Sequence, residues 1–238
     1  FNGTDQYLEA DSHTAFNALT VSAWFKPTSE INGASSSAEY ILGGIGSGTN
    51  KEYGAIRIGA GGGRILEYNS GSAYIGTDVT SISAEWHNVT IVYVDSGYTD
   101  KLGATTGNNK GYKIFLDGNR VDSGISGGSP NFAQAETSAS LAAGVQLKGG
   151  SQKYFSGFLD EIAIFPVSLS DSSVSKIYNP GAPGDLNAVT SYSPDLWWRM
   201  GESDGCSGST ITDAGSQGVN ATFKQSGTDS ESYSTQVP

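Results

Sequence analysis

The run Trp86-His-Asn-Val-Thr-Ile-Val-Tyr-Val94 is rich in aromatic and β-branched residues, the types that favour a pleated, half-buried strand. A second run of this kind, Tyr112-Lys-Ile-Phe-Leu116, leads into Asp117-Gly-Asn119, which puts glycine at the tip of a predicted hairpin. Upstream, Leu19-Thr-Val-Ser-Ala-Trp-Phe25 alternates apolar and polar side chains with the period of a strand. These three segments predict antiparallel pairing.

Further strand candidates are short and are separated by turns rich in glycine. They span residues 40–42, 55–58, 65–68, 141–147, 155–165 and 196–200. Roughly ten short strands of this kind predict an all-β, antiparallel two-sheet sandwich. One short helix is predicted over Leu169-Ser-Asp-Ser-Ser-Val-Ser-Lys-Ile-Tyr178, with Ser170 as its N-cap and Asn179-Pro-Gly181 as its end.

The chain divides into one main unit and an extension. Residues 1–179 hold most of the predicted strands, and residues 180–194 are rich in Pro and Gly, which predicts a linker. Residues 195–238 contain one strong strand, Leu196-Trp-Trp-Arg-Met200, followed by polar sequence. Such a segment cannot bury a core alone. We therefore expect an extension that packs on the same sandwich and frays after about Phe223.

The composition excludes several classes of partner. The formal net charge is −11, from 13 Lys and Arg against 24 Asp and Glu, and scattered basic residues argue against nucleic acid. No stretch reaches the roughly 18 consecutive apolar residues of a membrane span, so no membrane insertion is expected. A single cysteine, Cys206, excludes an intramolecular disulfide. The chain begins at Phe1 without Met, so we expect a trimmed product or a fragment.

Four sequence blocks, in the same order, resemble the laminin-G-like, concanavalin-A-like jelly-roll family. The blocks are Phe1-Asn-Gly-Thr-Asp-Gln-Tyr-Leu8 with Leu19-Thr-Val-Ser-Ala-Trp-Phe-Lys-Pro27, Trp86-His-Asn-Val-Thr-Ile-Val-Tyr93, Ile114-Phe-Leu-Asp-Gly-Asn-Arg-Val121, and Phe155-Ser-Gly-Phe-Leu-Asp-Glu-Ile-Ala-Ile-Phe165. The resemblance covers residues 1–178 and implies a jelly-roll sandwich. That fold carries lectins, glycoside hydrolases and surface modules alike, so it does not choose among them.

The C-terminal segment carries a second resemblance. Leu196-Trp-Trp-Arg-Met-Gly-Glu202 and Ile211-Thr-Asp-Ala-Gly-Ser-Gln-Gly-Val-Asn-Ala-Thr222 are similar to a segment that usually precedes the opening block of these domains. Here the segment trails the domain, a form that resembles laminin-G-like proteins of bacteriophage virions. Either it closes this sandwich, or it led into a second repeat that is absent.

The sequence offers little catalytic machinery. Glycoside hydrolases with this fold use a Glu-x-Asp-x-x-Glu strand, and the nearest match, Glu9-Ala-Asp11, has Thr14 in place of the second Glu. With two histidines in the chain, a serine or cysteine nucleophile has few candidate bases. His87 lies inside a strand signature, where a hydrogen-bonded sheet residue is the favoured interpretation. We therefore predict that the chain is not an enzyme.

Metal binding is a separate hypothesis. Asp160 occupies the Asp of Gly157-Phe-Leu-Asp-Glu161, and the resemblance implies that this Asp helps to hold a structural Ca²⁺. Asn2 and Asp5 of the opening turn are the candidate partners, since Ca²⁺ prefers oxygen ligands. The alternative is an Asp that accepts backbone N–H bonds. Leu159 and Ile162 are both apolar yet have opposite strand parity, which predicts a bulge or two-sided burial beside Asp160.

Aromatic side chains are the candidates for contact with a ligand or partner. Tyr53, Tyr68, Tyr74 and Tyr98 are loop aromatics that could stack on sugar faces. For each one taken singly, a structural strand residue with a solvated hydroxyl is the favoured interpretation. Three tryptophans fall in strand signatures and are predicted to be in the core, namely Trp24, Trp86 and Trp197. Trp198 points to the face opposite Trp197, so we expect a partner surface to cover it.

The sequence thus predicts a non-catalytic surface recognition or assembly module on a virion or outside the cell. A virion decoration, fibre or adhesion protein is the first interpretation. A free extracellular carbohydrate-binding lectin is the alternative, and a glycoside hydrolase is the third. The expected partner is a protein assembly or a glycan, and the expected state is an oligomer or a docked subunit.

Overall fold

The computed structural model of the chain describes residues 1–10, 19–32, 38–46, 54–59, 65–69, 73–127, 140–146, 152–189, 191–200, 207–225 and 238. In chain order the strands are β1 Tyr7–Ala10, β2 Thr20–Pro27, β3 Ile31–Asn32, β4 Glu39–Gly46, β5 Ala55–Ile58, β6 Leu66–Asn69, β7 Ala73–Thr77, β8 Ser81–Ile82, β9 His87–Val94, β10 Gly111–Leu116, β11 Asn119–Arg120, β12 Asp122–Gly127, β13 Ser140–Ala143, β14 Gly157–Phe165, β15 Leu196–Trp198, β16 Thr210–Ile211 and β17 Ala221–Lys224. The helices are α1 Asp171–Tyr178 and α2 Leu186–Val189, with a 3₁₀ turn at Asn179–Gly181 between them. Neither helix has the length or apolarity to cross a membrane, in the part of the chain that is described.

Two large antiparallel sheets form the molecule. One has nine strands in the order β12-β7-β6-β5-β4-β13-β1-β17-β16, and the other has six in the order β11-β10-β9-β2-β14-β15. Strands β3 and β8 pair as a small separate ribbon. The predicted all-β, two-sheet jelly-roll sandwich is confirmed.

The main hydrophobic core lies between the sheets. Strand β9 contributes Val89 and Ile91 from alternate positions, and these side chains are at most 2% exposed. From β10, Ile114 enters the same core, whereas its neighbour Phe115 points the other way. Burial of alternate residues from many strands fixes the register, because a one-residue slip would turn each apolar set outwards.

A second apolar cluster covers the outer face of the six-stranded sheet. Helix α1 packs Val174 and Ile177 against Phe115 and Phe165 of the sheet. The predicted helix is confirmed, including its N-cap, because the Ser170 Oγ accepts the Ser173 N–H at 3.2 Å. A helix of two turns is stable here because packing supports it.

The predicted hairpin joins β10 to β11. Asp117 and Gly118 both have positive φ, 51° and 72°, as expected for the tight turn that matches strand twist. The Asp117 carboxylate then accepts the Asn88 N–H at 2.8 Å and contacts His87 Nδ1 at 2.7 Å. The turn is therefore fastened to the start of β9.

The C-terminal extension contributes strands to both sheets. Strand β15 pairs with β14 in the six-stranded sheet, and β17 pairs with β1 in the nine-stranded sheet. Asp213 joins the two parts, since its carboxylate accepts backbone N–H groups from Trp197 at 2.7 Å, Gly215 at 2.7 Å and Val219 at 2.8 Å. Within the predicted linker, Leu186 of α2 is 3% exposed and packs in the second cluster.

Truncation after Asn187 should destabilise the protein strongly, because it removes β15, β16 and β17 and leaves both sheets with unpaired apolar edges. We expect the truncated chain to be insoluble or to melt well below the full chain in a calorimetric scan. An unchanged melting temperature would mean that the sandwich does not depend on these strands.

Candidate functional site

Strand β14 contains a bulge at Glu161. Its pairing with β2 runs from Gly157 to Asp160, is interrupted, and resumes at Ala163, one residue out of step. Glu161 has φ of 49°, in the left-handed region that costs an ordinary residue about 1–2 kcal/mol. The bulge predicted from Leu159 and Ile162 is confirmed, and both of those side chains enter the main core.

The bulge places two consecutive carboxylates on the same side of the sheet. In a regular strand, Asp160 and Glu161 would point to opposite faces, and one would enter the apolar core. Here both line one groove on the outer face of the six-stranded sheet. They are 7% and 4% exposed, so they form its floor.

Glu161 organises the neighbouring strand. Its carboxylate accepts a hydrogen bond from the Trp197 indole Nε1 and lies 3.4 Å from Arg199 Nε. The Arg199 guanidinium lies over the Trp197 ring, 4.8 Å from its centroid. Trp197 is 3% exposed, whereas the Arg199 side chain is 36% exposed. The groove therefore presents a guanidinium whose position is set by a buried acid and a buried ring.

The groove has a volume of about 510 Å³, within the range of small-molecule sites. It lies between β14, β15 and the chain around α2. Its lining residues are Asp160, Glu161, Pro183, Gly184, Asp185, Asn187, Trp197, Arg199, Ala214 and Pro238. On the rim, the exposed Asp185 accepts the Asn187 N–H at 3.0 Å and so begins α2. Polar groups of both hydrogen-bonding types thus converge on one concavity.

The predicted calcium ligands do not form one set. The Asn2 Oδ1 accepts the Thr4 and Asp5 N–H groups at 2.9 and 3.1 Å, and its Nδ2 donates to Asp5 Oδ1 at 2.7 Å. Asn2 lies opposite Ser156, and the strand from there to Asp160 spans about 13 Å. The Asp160 Oδ1 accepts the Glu161 N–H at 2.8 Å. This contact is of the kind expected under the alternative interpretation, in which Asp160 accepts backbone N–H bonds.

The structure gives a limited view of the expected calcium site. Within the described ranges, no three Asp, Glu, His or Cys side chains are grouped to hold one metal ion. Asp160 lies four residues along the chain from Ser156, the position opposite Asn2, so the structure does not bring Asp160 together with Asn2 and Asp5. Calcium itself stays a prediction.

The aromatic predictions need several corrections. Tyr53 lies outside the described residues. Tyr68 is 3% exposed in β6 and packs on Tyr112, with ring centroids 4.4 Å apart. Tyr98 is 1% exposed, and its hydroxyl donates to Asp122 at 2.7 Å, so burial and that carboxylate raise its pKa well above the ordinary value. These two side chains are buried and cannot stack on a sugar at the surface.

The remaining aromatic candidates differ in how far they are buried. Tyr74 is half-buried beneath the Arg57 guanidinium, which lies 4.7 Å from its ring centroid. Trp198 is fully buried in the main core, and its Nε1 donates to the Val219 carbonyl at 2.8 Å. The chain's own extension covers it, so the expectation of a partner surface there was wrong. Trp24 and Trp197 are buried as predicted, whereas Trp86 is half-exposed.

The catalytic candidates remain weak. Glu9 lies on β1 opposite Ala142 and Thr222, while Asp11, Thr14 and Cys206 are outside the described residues. His87 is a hydrogen-bonded sheet residue, as predicted, with Nδ1 at 2.7 Å from Asp117 and Nε2 at 3.0 Å from Ser83 Oγ.

Sequence reasoning missed most of the groove. It singled out Asp160 for another purpose and did not connect Glu161 or Arg199 with it. Glu161 ends the motif Gly-x-x-Asp-Glu, and Arg199 ends the run Trp-Trp-Arg. The signal that could have joined them is the predicted bulge, since it puts both acids on the face that Trp197 shares.

Comparison with known proteins agrees with the fold. A family model described as the concanavalin A-like lectin/glucanases superfamily matches residues 2–175. A heptameric pentraxin from Limulus polyphemus is 16% identical, with a TM-score of 0.54 over 94% of this chain and 93% of its own. A candidate carbohydrate-binding protein from Bacteroides ovatus is also 16% identical, with a TM-score of 0.58 over 93% of this chain and 56% of its own. These likenesses establish the fold.

A bacteriophage CBA120 tailspike domain is 18% identical over 76% of this chain and 26% of its own, with a TM-score of 0.42. No curated protein matches the sequence.

Glycine at position 161 should be tolerated better than alanine. Both variants lose the contacts to Trp197 and Arg199, so we expect each to lower the free energy of unfolding by about 2–4 kcal/mol. Glu161→Gly should remain about 1 kcal/mol more stable than Glu161→Ala, because only glycine adopts a positive φ without strain. Urea denaturation measures the difference.

The matched control is Thr222, in the regular strand β17. There the order should reverse, with Thr222→Ala more stable than Thr222→Gly. Equal stability of the two Glu161 variants would contradict a left-handed bulge at this position.

Proposed function

The chain belongs to the concanavalin A-like lectin/glucanase superfamily, and within it we propose that it is a non-catalytic recognition module that binds saccharides in the groove at the Glu161 bulge. The observation that carries the proposal is the convergence of Arg199, Asp185 and Asn187 around a concave site with a buried polar floor. The likeness to the Bacteroides ovatus protein, a candidate carbohydrate-binding protein, also supports saccharide binding.

The groove suits hydroxyl-rich ligands. Sugar hydroxyls both donate and accept, so a site for them needs both kinds of partner. Arg199 supplies donors, Asp185 supplies acceptors, and the Asn187 amide supplies both kinds. The Trp197 face is covered by Arg199, so this proposal rests on hydrogen bonding rather than on stacking. Rigid placement of Arg199 reduces the entropy that binding would cost.

The environment of Glu161 supports a non-catalytic role. A glycosidase needs one carboxyl group as acid or base and a second as nucleophile or base, each aimed at the scissile bond. Glu161 instead uses one oxygen to accept the indole N–H and the other to face the guanidinium. Both carboxylate oxygens are therefore already engaged by side chains of the chain itself.

A second candidate function is docking within an assembly on a virion surface or outside the cell, as a decoration, fibre or adhesion subunit. The heptameric state of the Limulus polyphemus pentraxin favours it. An oligomer that binds no glycan would favour this function instead.

A glycan array followed by calorimetric titration tests saccharide binding. We expect at least one oligosaccharide to bind, and Asp185→Ala and Asn187→Ala each to weaken its Kd about tenfold, the loss of roughly one good hydrogen bond. The matched controls are Asp95→Ala and Asn119→Ala, which change exposed residues elsewhere and should leave Kd unchanged. Equal losses in the controls would move the site away from the groove.

Ser83 should remain unlabelled by a fluorophosphonate probe. Ser83, His87 and Asp117 hydrogen-bond in the order of a serine-hydrolase triad, but Asp117 also fastens the hairpin through the Asn88 N–H, a structural role. Mass spectrometry of the treated full chain, with trypsin as the positive control, checks this. Labelling of Ser83 that is lost in Asp117→Asn would contradict the non-catalytic proposal.

A further inference from the structure

We infer that the groove selects saccharides by charge, favouring amino sugars over neutral sugars and excluding sugars that carry carboxylate or sulfate. This inference rests on the proposed function, because it concerns the same groove. It concerns the ligand class rather than the existence of the site.

The charges that line the groove are unequal. Asp160, Glu161 and Asp185 carry carboxylates, whereas Arg199 carries the one guanidinium among the described lining residues. The formal charge of this lining is therefore negative. An ammonium group placed among these side chains would be attracted, and a second carboxylate would be repelled.

The Arg199 guanidinium already interacts with two groups of the chain itself. Its Nε lies 3.4 Å from the Glu161 carboxylate, and its guanidinium rests on the Trp197 ring. A uronic or sialic acid would have to compete with Glu161 for this guanidinium. The competing carboxylate is built into the floor by the bulge, so it cannot move away without breaking the indole hydrogen bond.

Two of the three acids in the groove lining are buried. Asp160 and Glu161 are 7% and 4% exposed, and charges withdrawn from water are screened less by salt than surface charges are. Asp185 differs, because it is exposed on the rim as the cap of α2. The selectivity should accordingly have a buried part and a rim part that salt weakens.

The charge of the whole chain acts in the same direction. With a net charge of −11, the molecule repels polyanions at long range and attracts polycations. This long-range attraction is not specific to the groove, so a control must separate it from the charges that line the groove. A charge removed at the rim of the groove and the same charge removed elsewhere provide that separation.

The test compares saccharides that share a backbone and differ in one charged group. Oligomers of glucosamine, glucose and glucuronic acid with the same linkage, and the corresponding galactose series, are titrated into the full chain at mildly acidic pH, where the amine is protonated. We expect about tenfold tighter Kd for the amine than for the neutral sugar, and at least tenfold weaker binding of the acid.

The variant pair isolates the groove. Asp185→Asn retains an oxygen to accept the Asn187 N–H but removes the rim charge. The amine preference, taken as the ratio of Kd for the neutral sugar to Kd for the amino sugar, should therefore fall at least threefold. Asp95→Asn removes an equal charge from a distant exposed position and should leave the preference unchanged. High salt should reduce the preference in the unchanged chain but not abolish it.

The outcomes separate the two proposals. Equal binding of all three sugars, or tighter binding of the acidic sugar, overturns the charge selection and leaves saccharide binding intact. An amine preference that Asp95→Asn reduces as much as Asp185→Asn also overturns it, since the effect would then come from net charge. Binding of no saccharide in either series or on the array overturns both proposals.

Discussion

The left-handed backbone at Glu161 is the constraint on which the groove depends. A strand alternates its side chains, so two adjacent acids cannot share a face unless one extra residue enters the ladder. With the bulge, Leu159 and Ile162 both reach the core, and Asp160 and Glu161 both avoid it. Without it, the sheet would have to bury a carboxylate among apolar side chains, which is costly unless the charge is paired.

The same bulge explains why the C-terminal extension matters to the site. Strand β15 pairs with β14 just beyond Glu161, which brings Trp197 within hydrogen-bonding reach of that carboxylate. Its neighbour Trp198 enters the main core and donates to the Val219 carbonyl. Asp213 then holds the returning chain through three backbone N–H groups. The pairing of β14 with β15 therefore forms the floor of the groove and also extends the six-stranded sheet.

The sequence predicted those parts of the fold that depend on residues close together in the chain. The strand at Trp86–Val94, the hairpin at Asp117 and Gly118, the Ser170 cap and the bulge follow from periodicity, turn chemistry and parity. Strand β12 was missed because its sequence, Asp122-Ser-Gly-Ile-Ser-Gly127, has the composition of a turn. Its pairing with β7 comes from tertiary context, which outweighs propensity.

The site was less accessible to sequence reasoning, because burial and partners depend on residues far apart in the chain. The sequence does not show that Tyr68 and Tyr98 are enclosed. In the structure Tyr112 packs on Tyr68, and Asp122 accepts the buried Tyr98 hydroxyl. Trp198 looked unprotected because Val219 lies in a polar stretch that gives no strand signal. The groove is lined by residues of β14, β15 and α2, which are far apart in the sequence, so no single motif contains them.

The most direct test of the account follows the tryptophan indole N–H signals by NMR while an oligosaccharide is titrated into the labelled chain. The chain has four tryptophans, so the signals are few and can be assigned by substitution. If the saccharide binds in the groove, the signal of Trp197, whose indole N–H bonds to Glu161 in the groove floor, should shift most, while the signal of the buried Trp24 stays in place. Saturable binding that moves the Trp24 or Trp86 signal and leaves Trp197 unchanged would contradict it.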